Sequence, residues 1–300
     1  MATPAQPRTT PDLARVTETL ELLAPRWSVW ALMTISSKPL RYAEIKPRLP
    51  WLHDGQLHPR LRHLTDAGVV ERTEYAPRHV TYGVTSRGAE LLPVLASIAA
   101  WGDTYLEKGL VRNKKTGEME PEQLPAAQHI EDALALIVPR HATAILWSLK
   151  ARGGASAKTL AAEAMPGYGL TAVYKPLDRL VADGLVTASG AGNFQLSASG
   201  QGLAPVFQAV SAWAAGRPLA EAGAHPVWGQ DLAPSQVRSG PWASTPTRLP
   251  APTEPLAPAE SSVGSALAAT VPGRPAWKGG DLFSHQIPAR PISPAGGPRR

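Results

Sequence analysis

LPWLHDGQLHPRLRHLTDAGVVERTEYAPRHVTY, residues 49–82, is the stretch whose reading decides the fold. Leu57, Leu61 and Leu64 recur at i, i+4 and i+7, one apolar stripe of a helix. It stops at Ala67-Gly68, where glycine takes the left-handed conformation that closes a helix. On that winding Arg62 and His63 point outward, with His58 and Arg60 on the flanks. Val69–Tyr75 and His79–Tyr82 read as strands on either side of the turn Ala76-Pro77-Arg78. A groove-sized helix beside a basic-tipped hairpin suits a nucleic-acid reader. The same leucine stripe, glycine stop and hairpin also occur in ordinary α+β domains.

Further motifs flank the stretch in a fixed order. They are Leu23-Ala24-Pro25-Arg26-Trp27, Arg41-Tyr42-Ala43-Glu44-Ile45, Leu57–Leu64, Ala67–Arg72, Val80–Gly88 and Trp101-Gly102. Over Leu22–Gly102 they make the chain resemble the HxlR-type winged helix-turn-helix regulators, a branch of the MarR-like transcription factors. The resemblance implies a mainly α fold with small β wings (α+β) and a sequence-specific DNA-binding transcriptional regulator. Its recognition helix would span 53–67 in the major groove, and a basic wing over 71–82 would lie at the backbone or minor groove. Arg41, Lys46 and Arg48 would meet phosphates, Gln56, His58, Arg60 and Arg62 would reach the groove, and Arg78 and His79 would sit at the wing. Arg41 to Arg62 carries five Lys/Arg against two acids, an excess that suits phosphate contact.

The start of the recognition helix departs from the family pattern. His53-Asp54-Gly55-Gln56 stands where the family usually has a serine cap and long polar side chains, which leaves Asp54 as the candidate cap. Pro59 removes a backbone donor and predicts a late start or a kink. Base specificity therefore does not carry over from the family.

The 30 Lys and Arg exceed the 24 Asp and Glu by six, which fits a polyanion partner. With no cysteine, disulfides, thiolate zinc sites and cysteine nucleophiles are excluded. So is the thiol sensing that some members of the resembled family use. No run reaches the ~18 apolar residues of a membrane span, and the N-terminus lacks the apolar core of a secretory signal. The expectation is a soluble, cytoplasmic, nucleoid-associated protein.

Taken in order, residues 1–10 read as a disordered N-terminus and 11–110 as the winged-helix domain, beginning with a helix capped by Asp12. An apolar helix follows Pro25 and carries Trp27 and Trp30. Residues 86–107 read as one helix with a wide apolar face, fit to pair two subunits or to close its own domain. Residues 111–127 read as a linker. Residues 128–216 echo the first domain: Val138–Trp147 follows Ala24–Met33, Val173–Val186 follows Leu57–Val70, and Phe194–Gly200 with Trp213 follows Tyr82–Gly88 with Trp101. Between Ala157 and Gly184 this copy has Lys158, Lys175 and Arg179 against Glu163, Asp178 and Asp183, so it reads as a degenerate second domain that serves the first. The expected assembly is an intramolecular pseudo-dimer or a homodimer on double-stranded DNA. Residues 217–300, with about half of the 31 prolines, read as a disordered tail in which Trp228, Trp242, Trp277 and Phe283 stand isolated.

Enzyme chemistry finds no support: there is no phosphate loop, nucleophile elbow or paired carboxylates. His53, His58 and His63 are spaced five apart, which does not stack them on one helical face, so no metal or cofactor is expected. Imidazoles near phosphates would instead give DNA affinity a weak pH dependence. The rival reading is a protein-interaction or small-ligand sensor on a winged scaffold that does not bind DNA. No small-molecule effector can be read from these residues.

Overall fold

The computed structural model describes residues 11–77, 79–190 and 192–229. The expectations for residues 1–10, Arg78 and residues 230–300, including Trp242, Trp277 and Phe283, lie outside them.

The chain opens with α1 (Pro11–Leu23), which stops just short of Pro25 because the residue before a proline avoids the α region. Trp27, at φ 77°, turns the chain left-handed into α2 (Ser28–Ile35). Then come β1 (Leu40–Arg41), α3 (Tyr42–Ile45), a 3-10 turn at Lys46–Arg48 and α4 (Asp54–Asp66). The wing is β2 (Val70–Ala76) and β3 (His79–Val84), with β3 central in an antiparallel β1-β3-β2 sheet. Helix α5 (Ser86–Tyr105) comes next. Leu57, Leu61 and Leu64 lie fully in the core against α2. At about 1.5–3 kcal/mol per leucine, that burial holds an otherwise polar α4 in place.

α4 corrects two expectations. It runs continuously through Pro59, whose missing N–H leaves only the Gly55 carbonyl without its helical donor. Nor is Asp54 the cap: α4 begins at Asp54 itself, after His53, and the Gln56 Oε1 accepts the His53 N–H at 3.2 Å. Gly68 does close the helix at φ 71°. α5 then starts pressed against the strand, because a Cβ on Gly88 would stand 2.0 Å from the Val69 carbonyl oxygen.

The segment expected as a linker forms a hairpin, β4 (Leu110–Arg112) with β5 (Met119–Pro121). Its turn is set by Gly117 at φ 77° and by the Asn113 side chain, which accepts the Lys115 N–H at 2.8 Å. Past it lie α6 (Ala126–Ile137), α7 (Ala142–Arg152), β6 (Ala155–Ser156) and α8 (Ala157–Ala164). The second half ends with α9 (Tyr174–Ala182), β7 (Val186–Ser189), β8 (Asn193–Leu196), α10 (Ala198–Gln201) and α11 (Ala204–Ala214).

The two halves share local devices. The sheet order β6-β8-β7 matches β1-β3-β2. His141 turns left-handed at φ 67° before α7, as Trp27 does before α2, and Gly184 matches Gly68 at φ 71°. Thr85 accepts the Gly88 N–H and donates to the Gly68 carbonyl; Ser197 accepts the Gly200 N–H and donates to the Gly184 carbonyl. The halves also trade partners, with α5 packing on α6, α11 on α1, and α5 and α11 on each other.

Asp12 does not cap α1. Its carboxylate accepts from the Ser211 hydroxyl at 2.9 Å and from His225 Nε2 at 2.8 Å, tying α1 to α11 and to the final turn of the described chain. Burial would raise the Asp12 pKa, but the hydrogen bonds from His225 and Ser211 outweigh it and hold the carboxyl below its ordinary value. Serine and imidazole both bind the one carboxylate, so this is a clamp and not a nucleophile relay.

The expected tail starts too early. Residues 217–229 are packed: Leu219–Ala224 form a 3-10 turn, and Trp228 is 1% exposed, stacked 4.4 Å from Phe207. The His225 Nδ1 accepts the N–H groups of Val227 and Trp228, which shapes the final turn. Among the described residues, no helix is long and apolar enough to cross a membrane.

Candidate nucleic-acid interface

The turn between α3 and α4 is tied by one carboxylate. Tyr42 Oη donates to Asp54 at 2.7 Å, while the Lys46 ammonium lies 3.1 Å from Asp54 and also donates to the Leu52 carbonyl. Burial and the Asp54 contact push the Tyr42 hydroxyl up to about 12. Hydrogen bonds from Tyr42 and Lys46 in turn hold the Asp54 carboxyl below its usual range. The Asp54 carboxylate is thus compensated from within the fold, and Lys46 is engaged there. His58 stacks flat on Tyr42, 4.1 Å between centroids, continuing the edge along α4.

Arg41 enters α3 with its N–H on the Glu44 carboxylate at 2.7 Å, a contact that lowers the Glu44 pKa and leaves the Arg41 guanidinium exposed. Arg48 folds back to the Glu44 carbonyl at 2.8 Å. Arg62 projects into solvent, its side chain 84% exposed and 3.7 Å from Asp66.

Arg60 and His63 take a different direction. Arg60 Nε donates to the Arg26 carbonyl at 2.8 Å, and His63 Nε2 sits 3.1 Å from the Leu22 carbonyl. Both meet the α1–α2 corner, whose carbonyls are left open where the helix ends. The expectation that His63 faces outward is therefore corrected. His53, His58 and His63 find three different neighbourhoods: the α4 cap, the Tyr42 ring and the Leu22 carbonyl.

A cleft of about 590 Å³ runs between α4 and the wing, lined by His58, Arg62, Asp66, Arg72 and Tyr82 among others. Arg72 and Tyr82 face each other across the β2–β3 ladder, and Arg72 also pairs with Glu74 at 3.2 Å. Neither was singled out from the sequence. The hairpin register was the signal, because it brings both to one cross-strand position beside α4. His79 is half-buried, edge-on to Tyr75 at 5.5 Å. Arg78 lies outside the described residues.

Helices α3 and α4 with the β2–β3 hairpin define a winged helix-turn-helix. Residues 22–110 match the HxlR-like helix-turn-helix family. An "Uncharacterized HTH-type transcriptional regulator" of Methanothermobacter thermautotrophicus is 32% identical over 82 residues, which are 27% of this chain and 63% of that protein. The "Uncharacterized HTH-type transcriptional regulator YdzF" of Bacillus subtilis is 30% identical over 87 residues, 28% of this chain and 80% of the relative. A solved structure assigned to the MarR family of transcriptional regulators, from Porphyromonas gingivalis W83, is 23% identical, covers 35% of this chain and 98% of its own, and gives a TM-score of 0.28. The chain belongs to the HxlR-like helix-turn-helix family.

Proposed function

We propose that the protein is a sequence-specific DNA-binding transcriptional regulator that reads DNA through its first half. α4 enters the major groove, with Gln56, His58 and Arg62 toward base edges. Arg41, Arg48 and Arg72 meet phosphates on either side, and Arg78 and His79 carry the wing to the backbone or minor groove. Lys46 and Arg60 act one step back, holding α4 at the angle it needs. The observation that carries this reading is the outward Arg62 on α4, at a cleft whose far wall is the Arg72 strand of the wing.

Residues 128–216 are a second, degenerate winged-helix copy, and the two halves form an intramolecular pseudo-dimer. The partner exchange of α5 with α6 and α11 with α1 supports this reading, because a two-fold interface makes each contact twice. In the second copy, Tyr174 and Asp178 take the places of His58 and Arg62, which leaves one DNA reader per chain. The near-neutral second copy and the internal use of Lys46 and Arg60 favour the rival sensor reading. Selection of bound duplexes from a randomised pool separates the two. One short asymmetric motif is expected, a palindrome would indicate two readers, and no enrichment at low salt would favour the sensor.

A further inference from the structure

A cavity of about 350 Å³ opens in the second half between α7, α9 and the segment joining α8 to α9. We propose that it binds a small organic anion with an apolar body. Met165, Ala172 and Leu180 give it an apolar floor, while Arg140, Lys175 and Arg179 stand around it, and no Asp or Glu lines it. Arg179 is partly satisfied by Asp183 at 3.4 Å and by the Ala135 carbonyl at 3.2 Å. Arg140 and Lys175 form no ion pair among the described residues. Ala142, in the first turn of α7, adds the partial positive charge of a helix start.

By the sequence echo between the halves, this half carries less bulk around the start of α7 than the first half carries around the start of α2. There, Trp30 meets Trp51 edge-on at 5.2 Å, and Arg26 covers the Trp27 ring at 4.5 Å. In the second half His141 replaces Trp27 and Ala144 replaces Trp30, and the segment after α8 has no tryptophan. His141 is held at φ 67° and packs edge-on against Tyr168 at 5.0 Å, which makes one aromatic wall. The volume is at the small end of small-molecule pockets. Uncompensated cations over an apolar floor select a carboxylate or sulfonate on a hydrophobic frame; inorganic phosphate would leave the floor wet.

The full-length chain, titrated with the fluorescent sulfonate 1-anilinonaphthalene-8-sulfonate, is expected to bind one equivalent saturably. Arg140→Ala with Lys175→Ala should weaken that binding at least about tenfold, a difference of about 1.4 kcal/mol. Ala172→Phe, which fills the floor without touching charge, should weaken it to a similar degree. The uncharged analogue N-phenyl-1-naphthylamine should bind more weakly and be indifferent to the charge change. Unsaturable binding, unchanged affinity in both variants, or equal affinity for the uncharged analogue would overturn the proposal.

Discussion

Trp101 and Trp213 make the same hydrogen bond in opposite directions. The Trp101 indole N–H donates to the Ser199 carbonyl and the Trp213 indole N–H to the Arg87 carbonyl, both at 3.0 Å. Arg87 and Ser199 stand the same distance apart in the sequence as the two tryptophans do, 112 residues, the interval expected if residues 128–216 repeat the first half. Trp101→Phe and Trp213→Phe each keep a ring and leave one carbonyl without its donor. Each is expected to cost about 1–3 kcal/mol in urea unfolding. A loss confined to one of the two would mean that the bonds are not equivalent.

If this interface takes the place of a subunit contact, the chain is complete by itself. Light scattering should give the single-chain mass of 31.8 kDa at micromolar concentration. A stable dimer would refute the intramolecular pairing.

Arg60 and Arg62 are two residues apart, yet their side chains have different work. Arg60→Ala loses a charge-assisted bond to the Arg26 carbonyl and should lower stability by about 1 kcal/mol. Arg62→Ala should leave stability nearly unchanged and weaken DNA binding. With Arg62 directed at a base edge, its loss should cost about 1–3 kcal/mol of affinity and relax specificity at one position, with the salt slope little changed. Unfolding curves and salt titrations of the two variants give the comparison, and interchanged behaviour would redirect the interface to the α1–α2 corner.

Trp228 makes residues 217–229 part of the fold. Trp228→Ala empties a site packed by Phe207 and Trp147 and should cost about 3–5 kcal/mol. A chain cut after residue 216 should melt well below one cut after residue 229. Equal melting temperatures would show that the packing contributes nothing.

His129 gives stability a pH dependence near neutrality. Its side chain is nearly buried at the α5–α6 contact, 3.5 Å from Asp103. Burial pushes its pKa down, opposed by Asp103 and Asp132, while Lys108 adds to the fall. The unfolded chain therefore takes the proton more readily. The stabilising contribution is complete above about pH 6.5 and is lost as pH falls through the lower folded value. Glu131, whose carboxyl burial pushes up, acts in the opposite direction at lower pH. Urea midpoints at about pH 7.5 and 5.5 should fall for the parent chain and converge for His129→Gln; equal falls would remove His129 as the cause.

The leucine stripe of α4, the glycine stop and the wing hairpin were legible because each rests on local periodicity or a single turn residue. The echo of the first domain in residues 128–216 is a sequence observation, visible because its apolar positions keep their spacing. What the sequence hid was the use of polar side chains. Nothing local says that Asp54 serves Tyr42 and Lys46, or that Asp12 reaches a serine and a histidine about two hundred residues away. Composition misled at the C-terminal end, where prolines around Trp228 masked an aromatic that closes the core of the second half. Pro59 suggested a break in α4 that tertiary packing of three leucines overrides.

The most direct test of DNA reading by the first half is the affinity of the full chain for its selected duplex between about 50 and about 200 mM salt. Some three to six phosphate contacts predict a log–log slope of about −3 to −5. A flat dependence, or no binding at the low-salt end, would contradict the account.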